Sequence, residues 1–135
     1  MALLSNLGKH KDFGLLVIRV GLGIMLILHG YPKLMGGPEG WEGLGTSTKY
    51  LGINFLPVAW GLAGALAETL GGLLILIGFA FRPVCIILVL HLIVATSSHF
   101  GKGETLMDAS HAIELAIVFA GLVFVGPGKY SVDKR

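Results

Sequence analysis

The chain has 135 residues, of which 54% are hydrophobic and 13% are charged, and its mean hydropathy is +0.81. Because soluble domains contain about 25% charged residues, this composition excludes an ordinary soluble fold and predicts an integral membrane protein, with residues 1–135 forming a single domain. The only cysteine, Cys85, excludes disulfide frameworks and CxxC redox pairs within the chain. The scattered basic residues form no stripe for nucleic-acid binding.

The first predicted membrane span is Phe13 to Tyr31, which is almost continuously apolar. About 20 such residues are needed to cross the hydrocarbon core of a bilayer. The next stretch, Pro32 to Asn54, is rich in glycine and is predicted to be a loop. Within this loop, Thr46 to Leu51 is predicted to form a short surface helix.

The second predicted span, Phe55 to Ala80, carries one carboxylate, Glu68, near its centre. An ionisable group at that depth costs about 2.5–3.5 kcal/mol, so Glu68 is predicted to face other protein or trapped water. A turn follows at Arg82 and Pro83, because proline tolerates a helix start and disfavours helix just before it. The third span is predicted from Pro83 to Ser97.

The fourth predicted span, Ala109 to Val125, follows a polar loop in which Asp108 is the predicted N-cap. Four spans place both termini and the second inter-span turn on the same side of the membrane. The basic residues of that side are Lys9, Lys11, Arg82, Lys129, Lys134 and Arg135, and those of the opposite side are Lys33, Lys49 and Lys102. The positive-inside rule therefore predicts cytoplasmic termini for this all-α bundle of four membrane helices.

Small residues are predicted to shape the packing of the first two spans. On the second span Gly64, Glu68 and Gly72 share one helical face, and on the first span Arg19, Gly23, Leu26, Gly30 and Lys33 follow a helical stripe. Membrane helices use such glycines to bring their backbones close together. Close packing is therefore the preferred interpretation of these glycines.

Depth in the membrane increases by about 1.5 Å per residue along a helix. By this measure, four ionisable side chains are predicted to share the middle layer of the bundle: Arg19, Glu68, His91 and Glu114. Because one cation meets two carboxylates, either an acid is protonated, or His91 is charged, or a ligand compensates. Arg19, Glu68 and Glu114 are the predicted catalytic residues. The alternatives are a buried ion pair that fixes the helix register, and a core histidine bonded to a backbone carbonyl.

A second polar group is predicted towards the outer ends of the spans, and its members are His29, Lys33, His99 and His111. His29 and Lys33 are i, i+4 neighbours on the first span, and His111 and Glu114 are i, i+3 neighbours on the fourth. Histidines in such places bind a quinone carbonyl, relay protons or ligate a metal. The predicted quinone- or substrate-binding residues are His29, Lys33, His91 and His111, with interfacial snorkelling as the alternative for Lys33.

Metal and nucleotide cofactors are not predicted. A di-iron bundle uses two Glu-x-x-His pairs, whereas this chain offers a single pair in reversed order, His111-x-x-Glu114. The sequence also contains no phosphate loop, dinucleotide fingerprint or nucleophile elbow.

Four segments together resemble the DoxX family of small four-helix membrane proteins. They are RVGLGIMLILHGYPKL at 19–34, LAETLGGLLILIG at 66–78, the helix that carries Glu114, and GPGKYSVD at 126–133. By this resemblance Arg19, Lys33, Glu68 and Glu114 match characteristic polar positions of the family.

The resemblance implies an inner-membrane subunit of a quinone-linked oxidoreductase, with quinone as its cofactor and with redox partner subunits. Two other functions stay open. One is a non-catalytic subunit that assembles or anchors a membrane enzyme complex, for which glycine-rich spans suit helix docking. The other is a small-solute transporter, and a homo-oligomer is compatible with all three functions.

Overall fold

The computed structural model describes residues 3–135, and five α-helices lie within that range. They are α1 (Lys11–Met35), α2 (Gly37–Gly45), α3 (Pro57–Ile77), α4 (Phe81–Gly101) and α5 (Leu106–Val125). Short 3₁₀ helices precede α1 at Ser5–His10 and follow α2 at Thr46–Leu51. Helices α1, α3, α4 and α5 are long and apolar enough to cross a membrane, which confirms the predicted all-α, four-span fold.

The predicted loop after the first span is wrong over most of its length. Helix α1 continues through Pro32 to Met35, and α2 follows almost at once. Proline stands near the start of α2, where its missing N–H is not needed. Packing against α3 explains why this glycine-rich segment is helical: a Cβ atom at Gly45 would overlap the Pro57 carbonyl, and one at Gly61 would overlap the Trp41 carbonyl. The short helix predicted after it is confirmed.

The starts of α4 and α5 differ from prediction because other side chains cap them. Thr105, not Asp108, is the N-cap of α5, and Asp108 completes a capping box in which each side chain bonds the other residue's backbone N–H. Helix α4 begins at Phe81 rather than at Pro83. The carboxylate of Asp133 accepts hydrogen bonds from the N–H groups of Ala80 (3.1 Å) and Phe81 (2.8 Å).

The spans pack in the order α1, α3, α4 and α5, and the contact between α1 and α3 is the most extensive. A Cβ atom on Gly23 would lie 2.8 Å from the Gly72 carbonyl oxygen, and one on Gly30 would lie 2.6 Å from the Cβ of Glu68. The predicted close packing at these glycines is thereby confirmed. Within the described residues no Cα atom of α5 lies within 8 Å of one of α1, so the row of helices is open between them.

The two ends of the bundle differ in what covers them. The tail side is the end where α1 and α4 begin, α3 and α5 end, and residues 126–135 pack. The loop side is the opposite end, covered by α2, the 3₁₀ helix after it and the connection from α4 to α5.

Candidate functional site

Three helices bring Lys33, Glu68 and His91 together in the interior, and these residues are called the Glu68 cluster. The ammonium of Lys33, from α1, donates to both carboxylate oxygens of Glu68, on α3, at 2.9 and 3.1 Å. The Nε2 atom of His91, from α4, lies 2.7 Å from Oε1 of the same carboxylate. Because an ionised carboxylate only accepts hydrogen bonds, the imidazole N–H is the donor.

Glycines make room for this cluster. On α3, Gly64 lies one turn from Glu68, and a Cβ atom there would lie 3.2 Å from Cε1 of His91. On α1, Gly30 lets the backbone approach Glu68 at van der Waals distance. The glycine stripes that predict close packing therefore also decide where the ionisable groups meet.

The cluster leaves the Glu68 side chain 10% exposed, against 22% for His91 and 39% for Lys33. A carboxylate that is removed from water is costly unless a cation and hydrogen bonds compensate it. Lys33 supplies the charge, and Lys33 and His91 together supply the hydrogen bonds. Glu68 faces protein rather than lipid, as the sequence predicts, but its cationic partner is Lys33 and not Arg19.

Two cavities meet at the Glu68 cluster. The vestibule, of about 320 Å³, runs from the loop side to the cluster. Its polar lining beyond the cluster consists of Ser47, Thr48, Trp60, Ser98, His99 and Lys102. The groove, of about 280 Å³, lies between α1, α4 and α5 and has a mainly apolar wall: Leu22, Met25, Leu26, Leu92, Ala95, Ala112 and Leu115. All three residues of the Glu68 cluster line both cavities.

His29 and His111 lie at the rim of the groove, where α1 and α5 are separated. Their ring centroids are 6.2 Å apart. The Nδ1 atom of His29 lies 2.8 Å from the carbonyl oxygen of Met25, and since a carbonyl only accepts, Nδ1 carries the proton. The Nε2 atom of a neutral His29 is then an acceptor. The groove is thus an apolar slot with polar groups at its rim and at its inner end.

Arg19 does not join these groups, so its predicted meeting with Glu68 and Glu114 is wrong. Its side chain is buried on the tail side and donates to four carbonyl oxygens: Ile75 (3.1 Å), Leu76 (2.8 Å), Pro127 (3.2 Å) and Tyr130 (2.8 Å). Glu68 precedes Ile75 by about two helical turns, or about 10 Å along the axis. Arg19 therefore ties the end of α3 to the C-terminal residues.

Replacing Arg19 with lysine is expected to destabilise the bundle. An ammonium cannot reproduce the planar fork that reaches four carbonyls, and buried acceptors left unpaired cost about 1–3 kcal/mol each. SDS-induced unfolding measures the loss of stability. Unchanged stability of the Arg19→Lys protein would contradict the anchoring of α3 to the C-terminal residues by Arg19.

Glu114 lies on the exposed surface of α5, and within residues 3–135 its side chain forms no hydrogen bond or ion pair. His99 pairs with Glu104 where the vestibule meets the α4–α5 connection. In the same described range, no group of three or more His, Cys, Asp and Glu side chains is arranged to hold a metal ion.

Sequence patterns alone did not indicate the pairing of Lys33 with Glu68 or the docking of the tail by Asp133. The first pair joins α1 to α3 and the second joins the chain end to the start of α4. The motif HG-x-x-K places a lysine in the last turn of α1, and it is the local sequence feature that points to the pairing of Lys33 with Glu68.

The fold and the cluster define a multi-pass membrane protein with a compensated carboxylate inside its bundle. The chain belongs to the DoxX family, whose model matches residues 14–101. That range contains Arg19, Lys33, Glu68 and His91, whereas Glu114 and the GPGKYSVD segment lie beyond it.

Two relatives match nearly the whole chain. The inner membrane protein YphA of Escherichia coli (strain K12) is 24% identical over 144 residues, which cover 96% of this chain and 99% of YphA. An uncharacterised protein of Haemophilus influenzae is 27% identical over 140 residues, which cover 98% of this chain and 97% of that protein. No solved structure matches the chain significantly.

Proposed function

We propose that the protein is the quinone-binding subunit of an inner-membrane oxidoreductase. The quinone occupies the groove and exchanges protons with Glu68 and His91. The observation that carries this proposal is the position of the Glu68 cluster at the inner end of an apolar groove between α1 and α5. The name of YphA supports the inner membrane as the location.

The shape and lining of the groove suit a quinone. Small-molecule sites usually have volumes of about 300–1,000 Å³, apolar walls and a few polar groups that fix orientation. At about 280 Å³ the groove accommodates a ring and the first part of an isoprenoid chain. The rest of the chain leaves between α1 and α5 into the acyl chains of the bilayer.

The polar groups suit the two ends of the ring. Lys33 has one N–H beyond the two that it donates to Glu68, so it is the hydrogen-bond donor for a quinone carbonyl at the inner end. At the rim, His111 is the polar group for the other carbonyl, and the acceptor Nε2 of His29 suits a hydroxyl of the reduced quinol. Reduction of a quinone to a quinol consumes two electrons and two protons. A redox partner subunit supplies the electrons. The two protons come from water by way of Glu68 and His91, and the ionised Glu68 takes up a proton before it delivers one to the ring.

The basic residues support an orientation in which the tail side faces the cytoplasm. Apart from Arg19 and Lys33, which form their hydrogen bonds inside the bundle, six of the eight Lys and Arg residues lie at that end: Lys9, Lys11, Arg82, Lys129, Lys134 and Arg135. The loop side, with the mouth of the vestibule, then faces away from the cytoplasm.

A tryptophan placed in the groove tests the proposal. Met25→Trp adds bulk to a groove-lining position that is 51% exposed, and Ile24→Trp adds it to the neighbouring position, which is 45% exposed and outside the groove. We expect Met25→Trp to weaken binding of ubiquinone-1 about tenfold, or by about 1.4 kcal/mol. Ile24→Trp should leave it unchanged. Native mass spectrometry during a titration reports both affinities.

Equal affinities of the wild type and the Met25→Trp protein would refute quinone binding in the groove. If ubiquinone-1 does not bind at all while the protein co-purifies with and stabilises a partner enzyme, the function is that of an assembly subunit. Uptake of a solute into liposomes, abolished by Met25→Trp, would indicate a transporter.

A further inference from the structure

The vestibule is large and polar enough to hold water. Water occupies about 30 Å³ per molecule in the liquid, so about 320 Å³ accommodates several molecules. Ser47, Ser98 and Lys102 offer hydroxyl and ammonium groups along its wall. A polar cavity with such partners is hydrated, whereas an apolar one stays dry.

The vestibule ends at the same carboxylate that closes the groove. Glu68 and His91 line both cavities, and Lys33 lies between them with its ammonium on the carboxylate. Water that enters from the loop side therefore reaches the atoms that a ligand in the groove reaches from the bilayer. The two cavities differ in polarity, and the residues that line both are the Glu68 cluster together with Ala95 and His99 on α4.

The tail side of the cluster is sealed within the described residues. The side chains packed there are fully buried and apolar: Ile75, Phe81, Cys85, Leu88 and Phe119, each with 0% exposure. Beyond them, Arg19 binds four backbone carbonyls and the C-terminal residues cover the bundle. A dry, close-packed layer of this kind offers water no hydrogen-bond partners.

We infer that the vestibule is a one-sided aqueous passage that connects the Glu68 cluster to the loop side and not to the tail side. The passage itself follows from the two cavities and the sealed layer. Its consequence for chemistry rests on the proposed function. Protons that a bound quinone exchanges with Glu68 or His91 enter and leave through the vestibule, so the exchange takes place with the loop-side compartment alone.

Cysteine labelling in sealed liposomes tests the passage. Ser98→Cys replaces a buried vestibule residue with one of similar size, and the native Cys85 in the sealed layer is the internal control. Lys49→Cys and Lys129→Cys are exposed reporters of the loop side and the tail side. The probe is the membrane-impermeant anion sulfonatoethyl methanethiosulfonate, added outside the liposomes, and adducts are counted by mass spectrometry.

We expect the wild-type protein to gain no adduct and Ser98→Cys to gain one. The labelled fraction of Ser98→Cys should equal that of Lys49→Cys. The labelled fractions of Ser98→Cys and Lys129→Cys should add up to the whole, because the two positions face opposite sides of the membrane. A labelled fraction that follows Lys129→Cys, or no adduct in a folded Ser98→Cys protein, would overturn the inference. Ala95→Cys, at the junction of the two cavities, replaces Ser98→Cys if that variant fails to fold.

The labelling uses no quinone, so the two proposals fail separately. Labelling from the loop side with no loss of ubiquinone-1 binding in Met25→Trp would keep the passage and refute the quinone site. Weakened ubiquinone-1 binding in Met25→Trp, together with an unlabelled Ser98→Cys, would keep the quinone site and refute the passage.

Discussion

Replacing Gly30 with alanine is expected to destabilise the bundle and to disturb the Glu68 cluster. The new Cβ atom would lie 2.6 Å from the Cβ of Glu68 and from the backbone nitrogen of Thr69, so α1 has to move away from α3. Overpacking of this kind costs about 1–3 kcal/mol. SDS-induced unfolding measures the loss of stability. Under the proposed function, ubiquinone-1 titration also reports the displacement of Glu68.

Gly21→Ala is the matched control for Gly30→Ala. Both glycines lie on α1, but a Cβ atom at Gly21 meets nothing within 4 Å. Alanine favours a helix over glycine by about 1 kcal/mol, so helix propensity alone predicts that both changes stabilise the protein. We expect Gly30→Ala to lower the stability and Gly21→Ala to raise it or leave it unchanged. Equal stability of the two variants would contradict the close contact between α1 and α3 at Glu68.

Replacing Glu68 with glutamine is expected to have the largest functional effect. The amide keeps the shape of the side chain but removes the negative charge that Lys33 faces, and it replaces one of the two acceptor oxygens with an NH2 donor. Hydrogen bonds to charged groups contribute about 1.5–3 kcal/mol, and we expect a stability loss of that order. Under the proposed function, ubiquinone-1 binding and partner-linked quinone reduction should also be lost.

Two further variants separate charge pairing from quinone chemistry. Adding Lys33→Met to Glu68→Gln removes the uncompensated cation, so we expect stability to recover while quinone reduction stays lost. Glu114→Gln changes an exposed carboxylate on α5 and should leave both properties unchanged. Loss of reduction in Glu114→Gln, with activity retained in Glu68→Gln, would favour the sequence-based assignment of Glu114 as catalytic.

Hydropathy and length predict the four spans because each helix has to cross the same apolar thickness. The cost of burying a charge likewise predicts that Glu68 faces the interior. The partner of Glu68 could not be predicted in this way. Depth counted along the first span places Arg19 nearer the tail side than Glu68, and the length of its side chain predicts that it reaches up to the middle layer. Instead the side chain bonds carbonyl oxygens of the C-terminal residues.

Tertiary packing decides the remaining features. Helix α2 forms in a segment that glycine content predicts to be a loop, because its glycines allow direct contact with α3. The groove exists because α1 and α5 are not packed against each other, and no sequence pattern within either helix predicts that separation. A cavity between elements that are distant in sequence is visible only once the helices are placed.

A photoreactive azidoquinone, cross-linked to the purified protein and mapped by peptide mass spectrometry, would locate the ligand. The proposed site requires adducts on the groove-lining faces of α1 and α5, within 22–29 and 111–115, that excess ubiquinone-1 suppresses. Adducts confined to the outward face of α5, at Ile117 and Val118, or adducts that ubiquinone-1 fails to suppress, would contradict a quinone site at the Glu68 cluster.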